Sequence, residues 1–145
     1  MKQGLFICLF SLLFWGCTQN NGHIGVNFGM WKLEELTING EPDTAYLDNV
    51  VWKFHSSILS MVRISDHHEV FECYGTWSES DDNKQMFLNF TYHDNGGTWK
   101  YVPLSETHLP EGLSTLDILS RSHGEMHLRY TADDGTCYEY RLEKW

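Results

Sequence analysis

From Met30 onward, apolar and polar residues alternate in runs of seven to ten, and each run ends in a turn signal. Successive residues of a strand face opposite sides, so alternation with period two marks strands that bury one face. The runs are Met30–Ile38, Asn49–His55, Ile58–Ile64, Glu69–Ser78, Lys84–Phe90, Leu113–Ser120, Glu125–Thr131 and Thr136–Glu143. Between them stand Asn39-Gly40, Ser56-Ser57, Asp66-His67-His68, Glu79–Asn83, Ser122-His123-Gly124 and Asp133-Asp134-Gly135. Asn-Gly and Asp-Gly supply the positive φ angles of tight hairpin turns. No segment holds apolar residues at helical spacing for three turns. The pattern predicts an all-β fold, an antiparallel sandwich or barrel of eight strands, and a meander of eight with one apolar face can close on itself and remove its edges.

Parity names the inward side chains: Val50, Trp52 and Phe54; Phe71, Cys73, Gly75 and Trp77; Met86, Leu88 and Phe90; Met126, Leu128 and Tyr130; Tyr138, Tyr140 and Leu142. Trp52, Phe54, Trp77, Leu88, Phe90, Tyr138 and Tyr140 form the candidate lining of an interior. They would either fill the barrel or surround a flat apolar molecule. One long irregular segment, Tyr92 to Gly112, interrupts the rhythm. It is unusually apolar for a loop, with Trp99, Tyr101, Leu104 and Leu109, and long loops often carry function. Trp99 and Tyr101 are therefore candidates for a lid across the barrel mouth or for a docking surface.

The start of the chain is different in kind. Lys2 precedes an apolar run that ends at Trp15-Gly16-Cys17, too short for a membrane span of ~20 residues. Phe14 spoils the small-x-small spacing of an ordinary secretory cleavage site. The ending resembles the signal peptide of a bacterial lipoprotein, which implies lipidation of Cys17 and removal of residues 1–16. Residues 17–28 follow, rich in Asn and Gly, and read as a flexible tether; the eleven after Cys17 would reach ~20 Å. Many lipoproteins of the Bacteroides group that travel to the cell surface carry acidic residues just after that cysteine; Thr18 to Gly22 has none, so the resemblance implies the periplasmic face of the envelope rather than the cell surface. Without residues 1–16, nine Lys and Arg face twenty Asp and Glu. Such an acidic chain repels nucleic acid and anionic lipid, leaving the lipid anchor as the expected membrane contact.

Gly29-Met30-Trp31-Lys32-Leu33 at the opening of the first strand looks like the Gly-x-Trp signature of lipocalins and related calycins. With the lipoprotein-type start, the Asn39-Gly40 turn and Glu106-Thr107-His108-Leu109-Pro110, residues 29–145 resemble the lipocalin-like lipoproteins common in Bacteroides-type bacteria. The resemblance implies an eight-stranded up-and-down barrel that encloses a small apolar ligand and performs no enzymatic chemistry. It implies that Gly29 and Trp31 close one end, with Arg141 or Lys144 lying over the Trp31 ring. It also implies a test of ligand class, since calycins that bind fatty acids often use an Arg-x-Tyr pair on the last strand. Here Tyr140 and Arg141 are adjacent and face opposite sides, which removes that clamp.

Other chemistry has little footing. Eight histidines are many, but His67 and His68 point apart in an extended chain, and His123 and His127 straddle a turn, so no zinc-ligand geometry is expected. Cys73 and Cys137 would enter an oxidising compartment, which favours a disulfide. Parity puts them on opposite faces, which opposes one unless a bulge before Tyr138 reverses the register. There is no Gly-x-Ser-x-Gly elbow, and Asn95-Gly96-Gly97 precedes no helix that could cradle phosphate. The reading is a tethered, non-enzymatic binding protein without a cofactor. The alternative is a packed barrel that docks on another envelope protein.

Overall fold

The computed structural model describes residues 25–91 and 101–145. Nine strands follow one another: β1 (Gly29–Ile38), β2 (Glu41–Pro42), β3 (Val50–His55), β4 (Ile58–Ile64), β5 (Val70–Glu79), β6 (Gln85–Phe90), β7 (Gly112–Arg121), β8 (Glu125–Thr131) and β9 (Cys137–Lys144). Each long strand pairs antiparallel with its neighbour in the chain, and β1 pairs with β9, which closes the sheet into a barrel. Eight long strands form the wall; the two-residue β2 is a short return on β1 after the Asn39-Gly40 turn. Asn39 and Gly40 both have positive φ, 52° and 85°, as a two-residue hairpin turn with right-handed strand twist requires.

Antiparallel order gives the barrel two ends. The base gathers residues 25–28, the β3–β4, β5–β6 and β7–β8 turns and the end of β9. The mouth gathers the β4–β5 and β8–β9 turns, the β1–β3 connection and the segment before β7. Alternation holds along the wall, and the inner face is the core: Trp31, Leu33, Trp52, Phe54, Leu59, Met61, Met86, Leu88, Phe90, Leu116, Met126, Leu128, Tyr140 and Leu142 are all buried.

Two register shifts break the parity, one between Leu33 and Glu35 in β1 and one between Ile118 and Ser120 in β7. The first turns Leu36 inward after Leu33; the second brings Arg121 round to the cleft at the base. Phe71, inward by parity, instead stands exposed at the mouth with the Arg63 guanidinium 4.9 Å from its ring. Gly75 is inward and leaves room for Phe90. A Cβ there would lie 2.8 Å from the Asn89 carbonyl oxygen and from the Phe90 ring.

The composition of residues 17–28 predicts a tether, but 25–28 belong to the barrel's base. Phe28 N–H bonds Gly25 O, and Asn27 is buried. Cys17 and residues 18–24 lie outside the described residues, as does Trp99. Cys73 and Cys137 are free thiols, the first buried and the second half-buried. Burial raises the Cys73 thiol to about 11.

Candidate functional site

The segment leading into β7 is a plug. Residues 102–111 cross the mouth, and Leu104, Thr107 and Leu109 are buried there, the two leucines joining the interior cluster. A single 3-10 turn, Ser105–Thr107, makes the descent. Thr107 donates its hydroxyl to Leu104 O at 2.7 Å, and His108 leaves the turn in the left-handed region with φ 57°. Tyr140, fully buried on β9, donates its hydroxyl to Thr107 O at 2.7 Å, tying the plug to the barrel wall. Burial pushes the Tyr140 phenol well above its ordinary range, so it stays a donor.

Two polar clamps hold the plug at the rim. Arg63 on β4 bonds Glu106, and His108 bonds Asp43 at 2.8 Å while stacking on Tyr138, with ring centroids 5.0 Å apart. His108 holds the Asp43 carboxyl below its ordinary value. Burial pushes Glu106 up, but its bond from Arg63 and a backbone donor outweigh that and leave it lowered.

Beneath the plug the aromatic lining is continuous. Trp52 lies 5.4 Å from Tyr140 and 6.4 Å from Phe54, and Phe54 meets Trp77 edge-on at 5.1 Å. Of the seven predicted lining residues, Trp52, Phe54, Leu88, Phe90 and Tyr140 are buried in this interior. Trp77 and Tyr138 are half-buried against it, at the base and the mouth respectively. Three buried polar atoms of inward side chains have no hydrogen-bond partner among the described residues: Trp52 Nε1, Trp77 Nε1 and Ser114 Oγ.

At the base, Trp31 donates Nε1–H to Asn27 O at 2.7 Å. The cation over its ring is Lys144, with Nζ 4.4 Å from the centroid, which also donates to Phe28 O. Arg141, the candidate named with Gly29 and Trp31 for this role, points outward and pairs with Glu35 at 3.2 Å. Parity explains the correction: Lys144 stands opposite Trp31 in the β1–β9 ladder, whereas Arg141 lies on the outer face. Gly29 has φ 109°, and a Cβ there would come within 3.2 Å of the Lys144 side chain, so glycine is what lets the lysine lie down.

A cleft of about 570 Å³ opens beside this seal, lined by residues 25–28, Ser57, Trp77, Glu79 and Arg121 among others. Arg121 Nη1 donates to Asn27 Oδ1 at 2.9 Å and to Glu79 Oε1, and Asn27 Nδ2 donates to the same carboxylate oxygen. Sequence reasoning missed this triad. Glu79 continues the inward parity of Trp77, a signal that was there to follow, but the bulge that delivers Arg121 has none. Tyr101 is half-buried beside Ile58 and Tyr74 on the outer wall. Among the described residues no three His, Cys, Asp or Glu side chains converge as metal ligands.

No family model matches the sequence, and no curated relative does. Solved structures do match. A lipocalin-like protein from Bacteroides uniformis is 16% identical, with a TM-score of 0.60 over 83% of this chain and 100% of that one. An uncharacterized protein from Bacteroides eggerthii is 16% identical, with a TM-score of 0.59 over 81% of this chain and 98% of that one. The closed antiparallel barrel is a lipocalin-like fold.

Proposed function

We propose that this lipocalin-like barrel is a non-enzymatic binding protein of the cell envelope, lipid-tethered through Cys17 on the periplasmic face, that takes a small apolar molecule into its interior. The plug carries this reading. Residues 102–111 are not part of the wall, yet Leu104 and Leu109 occupy the mouth, held by burial, by the Tyr140 bond and by clamps at the rim. Lifting them would uncover the aromatic-lined interior. Inside it, Trp52 Nε1–H and Ser114 Oγ are unpartnered among the described residues. A buried donor without a partner costs about 1–3 kcal/mol, and a ligand with one acceptor oxygen would recover part of that. Tyr140 is committed to Thr107 O and becomes available only when the plug moves.

Native mass spectrometry of the protein purified from cells, followed by organic extraction, tests the proposal. A stoichiometric adduct released on denaturation is the expected result and would identify the ligand class. A bare mass, unchanged after incubation with lipid and isoprenoid mixtures, overturns it. The dense interior would then favour the second reading, a packed accessory module that docks on another envelope protein through its outer wall. Trp31, Trp52, Phe54 and Tyr140 are each 1% exposed or less, as such a solid core requires.

A further inference from the structure

We propose that the basal cleft is a second ligand site, separate from the interior under the plug, and that it takes a neutral, hydroxyl-rich ring such as a saccharide. The cleft's volume of about 570 Å³ lies within the usual range of small-molecule sites. It is lined by two aromatic residues, Phe28 and Trp77, and by hydroxyl and amide side chains. Trp77 is held edge-on by Phe54 and so forms a fixed wall for the C–H face of a ring.

The polar end of the cleft sets the ligand class. Arg121 and Glu79 are only 15% and 17% exposed and cancel each other's charge. The chain as a whole carries a formal −10. An anion would find the guanidinium already neutralised and the surroundings repulsive, and a cation would find the carboxylate already paired. Their hydrogen bonds run through Nη1 and Oε1 alone. Nε and Nη2 of Arg121 and Oε2 of Glu79 therefore keep donor and acceptor capacity on the two partners of one ion pair, with no partner among the described residues. Adjacent hydroxyls match that pattern: one donates to the carboxylate and its neighbour accepts from the guanidinium, both as charge-assisted bonds. Asn27, itself 3% exposed, braces both groups, so the pair is arranged before any ligand arrives.

The test is an NMR titration of the full-length chain with 15N-labelled tryptophan, in a detergent without a sugar headgroup. The probes are glucose, N-acetylglucosamine and cellobiose, with benzoate as the anionic comparison, and Trp77→Phe assigns the Trp77 indole signal. We expect a saturable shift of that signal with at least one sugar, while the interior Trp52 signal stays in place. Arg121→Lys, which keeps the charge but loses the fork, should weaken binding about ten-fold, the worth of one charge-assisted hydrogen bond. Ser57→Phe fills the cleft from an exposed turn without touching the triad, and should abolish the shift. No shift with any of the sugars, or a shift with benzoate alone, overturns the proposal and leaves the triad as a seal on the barrel's base. Undiminished sugar binding in Ser57→Phe overturns it equally.

Discussion

Lys144 holds the barrel's base from a position that charge counting does not single out. Its ammonium meets the Trp31 ring and the Phe28 carbonyl together, and Gly29 is open enough to admit it. A cation–π contact at an exposed site is worth about 0.5–1 kcal/mol, and the hydrogen bond adds a similar amount. Lys144→Met should therefore lower stability by about 1–2 kcal/mol in urea unfolding. Arg141→Met removes only an exposed pair with Glu35 and should stay within about 0.5 kcal/mol of the parent. Equal losses in the two variants would mean that the Lys144 contacts add nothing beyond an exposed ion pair. Gly75 is the second sensitive position, because its missing side chain is space that Phe90 uses. Gly75→Ala drives a methyl group against a backbone carbonyl as well as a ring, so repacking Phe90 cannot relieve it fully. Overpacking of this kind costs about 1–3 kcal/mol, read as a lower urea midpoint at unchanged slope.

The plug depends on carboxylates at its rim, as the β8–β9 ladder depends on Glu139, which Arg129 and His127 hold below its ordinary value. Asp43 and Glu106 both have folded values below their ordinary 3.8 and 4.5. A depressed acid stabilises the state in which it is paired at every pH above its ordinary value, and that contribution is lost as pH falls through the lowered folded value. Acidification through and below the ordinary carboxylate range should therefore loosen the plug before the acid-free part of the wall. Hydrogen exchange reads this directly: protection of the Thr107 amide, bonded to Leu104 O, should fall relative to amides of β6, a strand with no acidic residue. Parallel loss at both places would mean that the plug opens only with global unfolding. Elements differ in the same way in how far their sequence discloses them. The eight long strands are readable to within a residue or two because burial on one face writes period two into the chain. Bulges write nothing comparable, so Leu36 and Arg121 reach their places through register shifts that the alternation hides. Residues 102–111 show apolar content without a period. Leu104 and Leu109 announce that the segment packs on something, but only the closed barrel determines that it packs into the mouth. Residues 25–28 hide their role for the opposite reason: Asn27 is polar and in a Gly-rich stretch, yet it is buried because it satisfies Trp31, Arg121 and Glu79 together.

At the scale of the whole molecule, the barrel axis separates the basal cleft from the plug at the mouth. The chain enters at the base through Gly25 and passes up and down the wall until β9 ends beside its start. If Cys17 carries the lipid, only eight residues of sequence lead from it to Gly25, at most about 28 Å of chain, which keeps the base near the membrane surface. The mouth then faces away from the bilayer, so an apolar ligand would enter from the aqueous side past the plug, while the basal cleft looks towards the lipid headgroups. An acidic domain would not add its own electrostatic hold on an anionic membrane, and attachment would rest on the lipid. Cys17→Ser should therefore move the protein from the membrane fraction to the soluble fraction of the cell and end its labelling by a clickable palmitate analogue. The barrel itself should be untouched, with the same unfolding midpoint. Continued membrane partition of Cys17→Ser would place the anchor in the uncleaved apolar run before it, and the orientation of the two ends would have to be derived again from that attachment.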